Sequence, residues 1–361
     1  MLSAVFFLNK LPFKLTTNIS DNIKFMMNKR LELVDFLKGL SIFTIVMMHL
    51  LQGFTSGLFN KALSFGGAGV HVFILCSGFG LYLSYLRNPL KYGAFLKKRF
   101  LKIYVPYILV VLVSAMLPFY NTSPDKWWQL LSHIFLYKMF VEDYIGSYGA
   151  QFWFLSTILC FYLFWPVIVC VFERLQKKKE WLPLVVSLVV SLAWATVVAI
   201  LGKGELRIWN SFFLQYMWEF VCGMFLAKRY QEDPGFIKLP GYGVLVLVMI
   251  LGMGITGYAG IRGGLLKLYN DLPSVLGYLS VALILYKLLF ANKLFVALNK
   301  FSYEWYLTHI LVFGCVSYGM KHLFSTPPLY QNLTIYLSVS FLLSLLIAYS
   351  YSLLLKKLHL K

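Results

Sequence analysis

Apolar positions along this chain are not spread at the intervals of an amphipathic helix or a half-buried strand. They run together in long blocks, and the polar positions fall between the blocks. A run of about 20 apolar residues is the length that carries an α-helix across the hydrocarbon core of a bilayer. By that rule the sequence predicts ten spans, at 34–54, 69–86, 101–119, 150–172, 182–201, 209–227, 239–258, 272–291, 302–319 and 334–355. With the N-terminal side inside, 24 lysines and arginines fall in inner segments and eight in outer ones, Lys38 lying within the first run. That bias is the one the positive-inside rule requires. The fold class expected is therefore all-α, a polytopic transmembrane helical bundle of about ten spans with both termini cytoplasmic. The membrane domain is expected over 31–356, after a cytoplasmic or interfacial segment at 1–30 and before a short cytoplasmic tail at 357–361.

Composition supports lipid as the solvent: 60% of residues are hydrophobic and 13% charged, outside the range of a soluble domain of 361 residues. The net charge of +19 does not read as a nucleic-acid surface, because the basic residues punctuate the apolar runs and form no continuous face. The opening MLSAVFFLNKLPFKL is too short to span and is interrupted by Pro12; it reads as an interfacial anchor or as an over-extended start, Met26 and Met27 being alternatives. The five cysteines, Cys76, Cys160, Cys170, Cys222 and Cys315, lie within expected spans and read as packing residues, without metal-ligand or disulfide spacing. The longest outer connection, 120–149, carries an amphipathic, aromatic stretch from Trp127 to Val141, which suits either an interfacial anchor or a lid.

Ionisable groups within the runs are costly, roughly 2.5–3.5 kcal/mol each near the bilayer centre, so their positions point to chemistry. In VDFLKGLSIFTIVMMHLLQGF, Lys38 and His49 are 11 positions apart. That is three turns and about 20°, placing both on one side of the helix about 16 Å apart along its axis. Asp35, one turn before Lys38, can pair with it. His71 opens the second run, Glu219 sits midway in the sixth, and Glu304 and His309 lie in the ninth. A carboxylate at the depth of Glu219 must be paired or protonated, with Lys38 one candidate partner. His309 either serves the site or braces a neighbouring helix. In LKKRFLKIYVP, Lys97, Lys98, Arg99 and Lys102 cluster at the inner mouth of the third run; spacing alone fits both a topology signal and a polyphosphate site.

Four segments, in order, resemble the acyltransferase-3 family of membrane enzymes. RLELVDFLKGLSIFTIVMMHL resembles its opening helix, GVHVFILCSGFGLYL its second, with Ser77-Gly78-Phe79 as the core, KKRFLKIYVPY its basic pair followed by Ile-x-x-Pro, and FSYEWYLTHI its ninth-helix signature. Departures are Lys38 and Lys102 where arginine is usual, and Ile158 and Leu159 where many relatives carry acidic residues. No esterase-like domain is expected after the last run. The resemblance implies a donor, acyl-CoA and most simply acetyl-CoA, whose phosphates are bound by Arg99, Lys102 and Lys98. It further implies Lys38 assisting in the donor channel and His49 working at the acyl group. His71, Glu219, Tyr303, His309 and Asp35 are the residues expected to orient His49 or bind the acceptor.

The function expected is O-acylation of a hydroxyl on an envelope carbohydrate or glycolipid in the cytoplasmic membrane, bacterial by resemblance, with no metal and no nucleic-acid partner. A transporter or flippase of a lipid-linked sugar is the alternative that intramembrane charge and glycine-rich helices also fit; no internal repeat supports it. A third possibility, a non-catalytic partner in an envelope assembly, sits poorly with the retention of Lys38 and His49.

Overall fold

Mostly small residues recur every three or four positions along two long helices, and that spacing sets which way each helix faces. Pro183, Ser187, Ser191, Ala195 and Val198 are buried on one; Tyr336, Ser340, Ser344, Ala348, Ser352 and Leu355 are buried on the other. Residues four apart share a face, and small side chains there let backbones approach where lipid supplies no hydrophobic drive between helices. The opposite faces expose Val185, Val189 and Leu192, and Leu342, Leu346 and Leu353. Apolar outside and partly polar inside is the arrangement that a lipid solvent selects.

The computed structural model describes residues 13–120, 123–236, 238–323 and 332–360. Its described helices of eight residues or more are α1 (Phe13–Leu51), α2 (Gly57–Ser64), α3 (Gly69–Arg87), α4 (Tyr92–Ala115), α5 (Lys126–Ile134), α6 (Trp153–Leu163) and α7 (Trp165–Lys178). They continue with α8 (Leu182–Ile200), α9 (Met217–Glu232), α10 (Tyr242–Arg262), α11 (Asp271–Tyr286), α12 (Leu289–Asn299), α13 (Ser302–Leu323) and α14 (Leu333–Lys357). The bundle is all-α, as expected.

The number of spans is not as expected. Among the described residues, five stretches are long and apolar enough to cross a membrane: Glu32–Phe54, Phe59–Arg87, Leu182–Ile200, Tyr242–Arg262 and Leu333–Lys357. A sixth is added if α6 and α7, bent by 60° at their junction, count as one. About ten spans is therefore overturned. The run at 209–227 resolves into turns and α9, and the run at 272–291 into α11 and part of α12. α9 and α11 have 16 residues each, about 24 Å at 1.5 Å per residue against a core of roughly 30 Å. The runs at 101–119 and 302–319 lie in α4 and α13, which are long but carry Lys97, Lys98, Arg99 and Lys102, and Glu304 and His309. Counting apolar runs gave every one of these segments a full crossing. The two ends, expected in the cytoplasm, and most of the expected interfacial anchor lie in residues 1–12 and 361, outside the described residues.

α3 sits between two apolar cores. Val72 and Cys76 pack into one with residues of α1, α4, α11 and α13. Ile74, Phe79, Leu81 and Tyr82 pack into the other with α6, α7 and α9. Two glycines make the second contact possible: a methyl group on Gly78 would run into the Phe220 carbonyl, and one on Gly223 into the Leu75 carbonyl. This close crossing of α3 and α9 lets His71 reach Glu219.

The connection at 120–149 departs from its expected form as well. The helix predicted from Trp127 to Val141 ends at Ile134, and short 3-10 turns follow. Trp127, Trp128, Phe135 and Phe140 are exposed, whereas His133 and Lys138 are buried. Ser147 Oγ donates to the Tyr144 carbonyl (2.6 Å) and so accepts from His133 Nε2–H (2.9 Å). His133 Nδ1 is then the acceptor for the Tyr107 hydroxyl at 2.6 Å. Burial and the nearby Lys138 charge hold His133 well below the usual histidine range, which agrees with a neutral ring. Lys138 donates to the Ser147 and Gly149 carbonyls, both at 2.8 Å, and burial lowers its ammonium to about 7.

Candidate active site

A cavity of about 650 Å³ is lined by members of both cores and by Lys38, His49, His71, Arg99, Lys102 and Tyr303. That volume is within the roughly 300–1,000 Å³ of small-molecule and cofactor pockets. Its cationic end is assembled where two helix termini, the end of α12 and the start of α13, meet α1 and α4. Asn299 Nδ2–H donates to Asp35 Oδ1 at 2.9 Å, tying the end of α12 to the turn of α1 that carries Lys38. The Tyr303 hydroxyl donates to the Ile103 carbonyl at 2.7 Å, tying the start of α13 to α4. Tyr303 thus spends its hydroxyl holding the helix that bears the two cations. Lys98 is exposed and does not line the cavity. Asp35 takes Asn299 as its partner, and among the described residues no ion pair joins it to Lys38.

At the other level of α1, His49 belongs to a hydrogen-bonded series that sets its tautomer. His309 Nδ1 lies 2.9 Å from the Trp305 carbonyl, which can only accept, so Nδ1 carries the proton. Neutral His309 then presents Nε2 as an acceptor, and His49 Nδ1–H fills it at 2.8 Å. The rings are 5° from parallel with centroids 5.1 Å apart. His49 Nε2 is left as the basic nitrogen of a cavity-lining residue. Trp305, fully buried, is itself fixed by its indole N–H to Ser344 Oγ at 3.0 Å. His309 joins α13 to α1 by its contact with His49.

Glu219 is paired, but with His71 and not with Lys38. His71 Nδ1 is 2.7 Å from Glu219 Oε1, and His71 Nε2 is 3.9 Å from Asp271 Oδ1. Asp271 also accepts from Gln215 Nε2 at 2.7 Å. Glu219 is fully buried and does not line the cavity; it acts behind His71. The three groups offer a nitrogen and two carboxylate oxygens within 4.8 Å of one another, a set that can hold a cation. In the geometry present, the histidine occupies the space between the carboxylates and bridges them.

A model of the acyltransferase domain that defines this family matches residues 31–353. The chain belongs to the acyltransferase-3 family. No curated protein and no solved structure matches it. As an acyltransferase-3 protein it is an acyltransferase-type enzyme in a helical bundle able to sit in a membrane. In this acyltransferase the opening-helix pair Lys38 and His49 and the basic pair Arg99 and Lys102 line a common cavity.

Sequence reasoning missed four residues on that wall or behind it: Gln151, Trp153, Arg207 and Asp271. Asp271 had a signal, an acidic group opening an apolar run. Gln151 and Trp153 stood at the start of the run expected at 150–172 and were read only as part of a span, and Arg207 was counted as an outer-loop charge.

Proposed function

We propose that this acyltransferase moves an acyl group, most simply acetyl, from a coenzyme A thioester on the cytoplasmic side to a hydroxyl of an envelope carbohydrate or glycolipid. The observation that carries the proposal is the shared cavity: the cations that suit a polyphosphate and the imidazole with a free basic nitrogen face the same space. Arg99 and Lys102 hold donor phosphates, where a guanidinium and an ammonium give charge-assisted hydrogen bonds. The pantetheine arm runs past Lys38 and sets the thioester near His49, about 16 Å further along α1. His49 Nε2 takes the proton of the acceptor hydroxyl as its oxygen attacks the thioester carbonyl. The C–S bond breaks, and CoA thiolate leaves with the proton that His49 returns. His309 accepts the His49 Nδ1–H throughout and steadies the transient imidazolium.

The test is transfer of labelled acetyl from acetyl-CoA by purified protein in detergent. His49→Ala should lower the rate by about 10²–10⁴, the usual contribution of a general base. Arg99→Ala with Lys102→Ala should raise the donor KM by about tenfold or more, since a hydrogen bond to a charged group contributes roughly 1.5–3 kcal/mol. Unchanged turnover by His49→Ala contradicts the mechanism. Uptake of unmodified sugar into vesicles without CoA release favours a transporter instead.

A further inference from the structure

Resting on the acyl-transfer function above, we infer that the part of the cavity around Gln151, Trp153, Tyr216 and Arg207 is an acceptor subsite for a pyranose bearing a negative group, a carboxylate or a phosphate. None of these residues has a part in holding the donor or in the proton transfer, yet all four line the cavity that His49 lines.

Each supplies a different element of sugar recognition. The Trp153 and Tyr216 rings lie 26° from parallel with centroids 6.1 Å apart, an aromatic wall of the kind that takes the apolar face of a pyranose. Gln151 is only 5% exposed, and both its side-chain nitrogen and its oxygen are buried without a hydrogen-bond partner among the described residues. A buried amide left unsatisfied is costly, and hydroxyls, which donate and accept, are the ligand groups that satisfy both ends of it. At Gly149, whose φ of +137° favours glycine, a side chain would run into the Gln151 amide.

Arg207 gives the subsite its charge. Its guanidinium lies over the Trp153 ring at 5.4 Å and donates to Ser211 Oγ at 3.4 Å. Among the described residues it makes no ion pair. Glu142, the nearby acid, accepts from Arg207's backbone N–H at 3.2 Å. The other acids of this corner, Glu219 and Asp271, bond to His71 and Gln215. A guanidinium backed by an aromatic ring and lacking a carboxylate partner suits a bidentate anion.

Binding is read separately from turnover. Saturation-transfer NMR with protein in detergent is run against methyl glucuronide, glucose 6-phosphate and methyl glucoside. The uronide and the phosphate should bind at least about tenfold more tightly than the neutral glycoside, one lost charge-assisted contact corresponding to that factor or more. Arg207→Ala should erase the difference, Arg207→Lys should keep part of it, and Gln151→Leu should weaken all three sugars. Which anionic sugar binds better distinguishes carboxylate from phosphate as the natural group. Coenzyme A binding, measured on the same samples, shows that each variant is folded. Equal binding of charged and neutral sugars overturns the subsite, as does an Arg207→Ala variant that loses coenzyme A affinity and keeps the anion preference. Anion-selective sugar binding without acetyl transfer would leave the subsite standing and remove the proposed reaction.

Discussion

Replacing His309 by leucine isolates the tautomer control of His49, because His309 bonds to His49 without lining the cavity. In the native arrangement the Trp305 carbonyl fixes His309 and His309 fixes His49. Leucine fills a similar volume but leaves His49 Nδ1–H without its acceptor. An unsatisfied buried donor costs about 1–3 kcal/mol, so the productive tautomer loses roughly 5- to 150-fold in relative population. Loss of ring orientation adds to this, toward the about 10⁴-fold that a wrong tautomer costs where a catalytic histidine loses its orienting partner. We therefore expect kcat for acetyl transfer to fall by about 10²–10⁴ with the donor KM unchanged. His309→Gln provides the control, since its amide oxygen can accept from Nδ1–H; it should recover at least about tenfold over leucine. The assay is initial-rate transfer of labelled acetyl, with coenzyme A binding as the check on folding. A leucine variant within about threefold of wild type, or a glutamine variant no better than leucine, refutes the series.

The glycine crossing gives a stability prediction with an internal control: Gly78→Ala drives a methyl group into the Phe220 carbonyl, whereas Gly80→Ala meets nothing within 4 Å. The first should lower thermal stability by about 1–3 kcal/mol and the second leave it equal or raised, by up to about 1 kcal/mol of helix propensity; equal loss in both sinks the packing argument. The connection at 126–149 should respond to pH. Burial lowers Lys138 to about 7 from an ordinary 10.5, so between those values the unfolded segment binds a proton that the folded one does not, and stability rises with pH across that window. His133, held below 6.5, acts in the same direction on the acid side, its contribution being lost as pH falls below 6.5. Hydrogen exchange over 126–149, corrected for intrinsic rates, should show protection growing from pH 6 to pH 9; flat protection contradicts the buried lysine.

Helix periodicity made part of the site legible in advance. Lys38 and His49 had to share a side of α1 because 11 residues close three turns, and the cost of charge in lipid said that this side must face protein or a cavity. Partnerships across helices were not legible, since they depend on which helices touch. Glu219 meets His71 through a crossing that two glycines permit, and no spacing within either segment encodes that contact. Asp35 turned to Asn299, 264 positions away, although Lys38 was one turn along. The span count failed for a related reason. An apolar run of suitable length looks the same whether it becomes one straight helix, a 16-residue helix behind a set of turns as in α9, or a bent pair as in α6 and α7.

The central claim, that a donor bound at Arg99 and Lys102 brings its sulfur to His49, is tested most directly by trapping the sulfur there. His49→Cys puts a thiol where the imidazole stands. Coenzyme A disulfide exchanges with it to give a mixed disulfide and free coenzyme A thiol, and peptide mass mapping separates that site from the five native cysteines. The account predicts coenzyme A attached at position 49, with attachment strongly reduced when Arg99→Ala and Lys102→Ala are added. No adduct at position 49 with a small disulfide reagent still reacting there, or an adduct indifferent to the two cations, would contradict it.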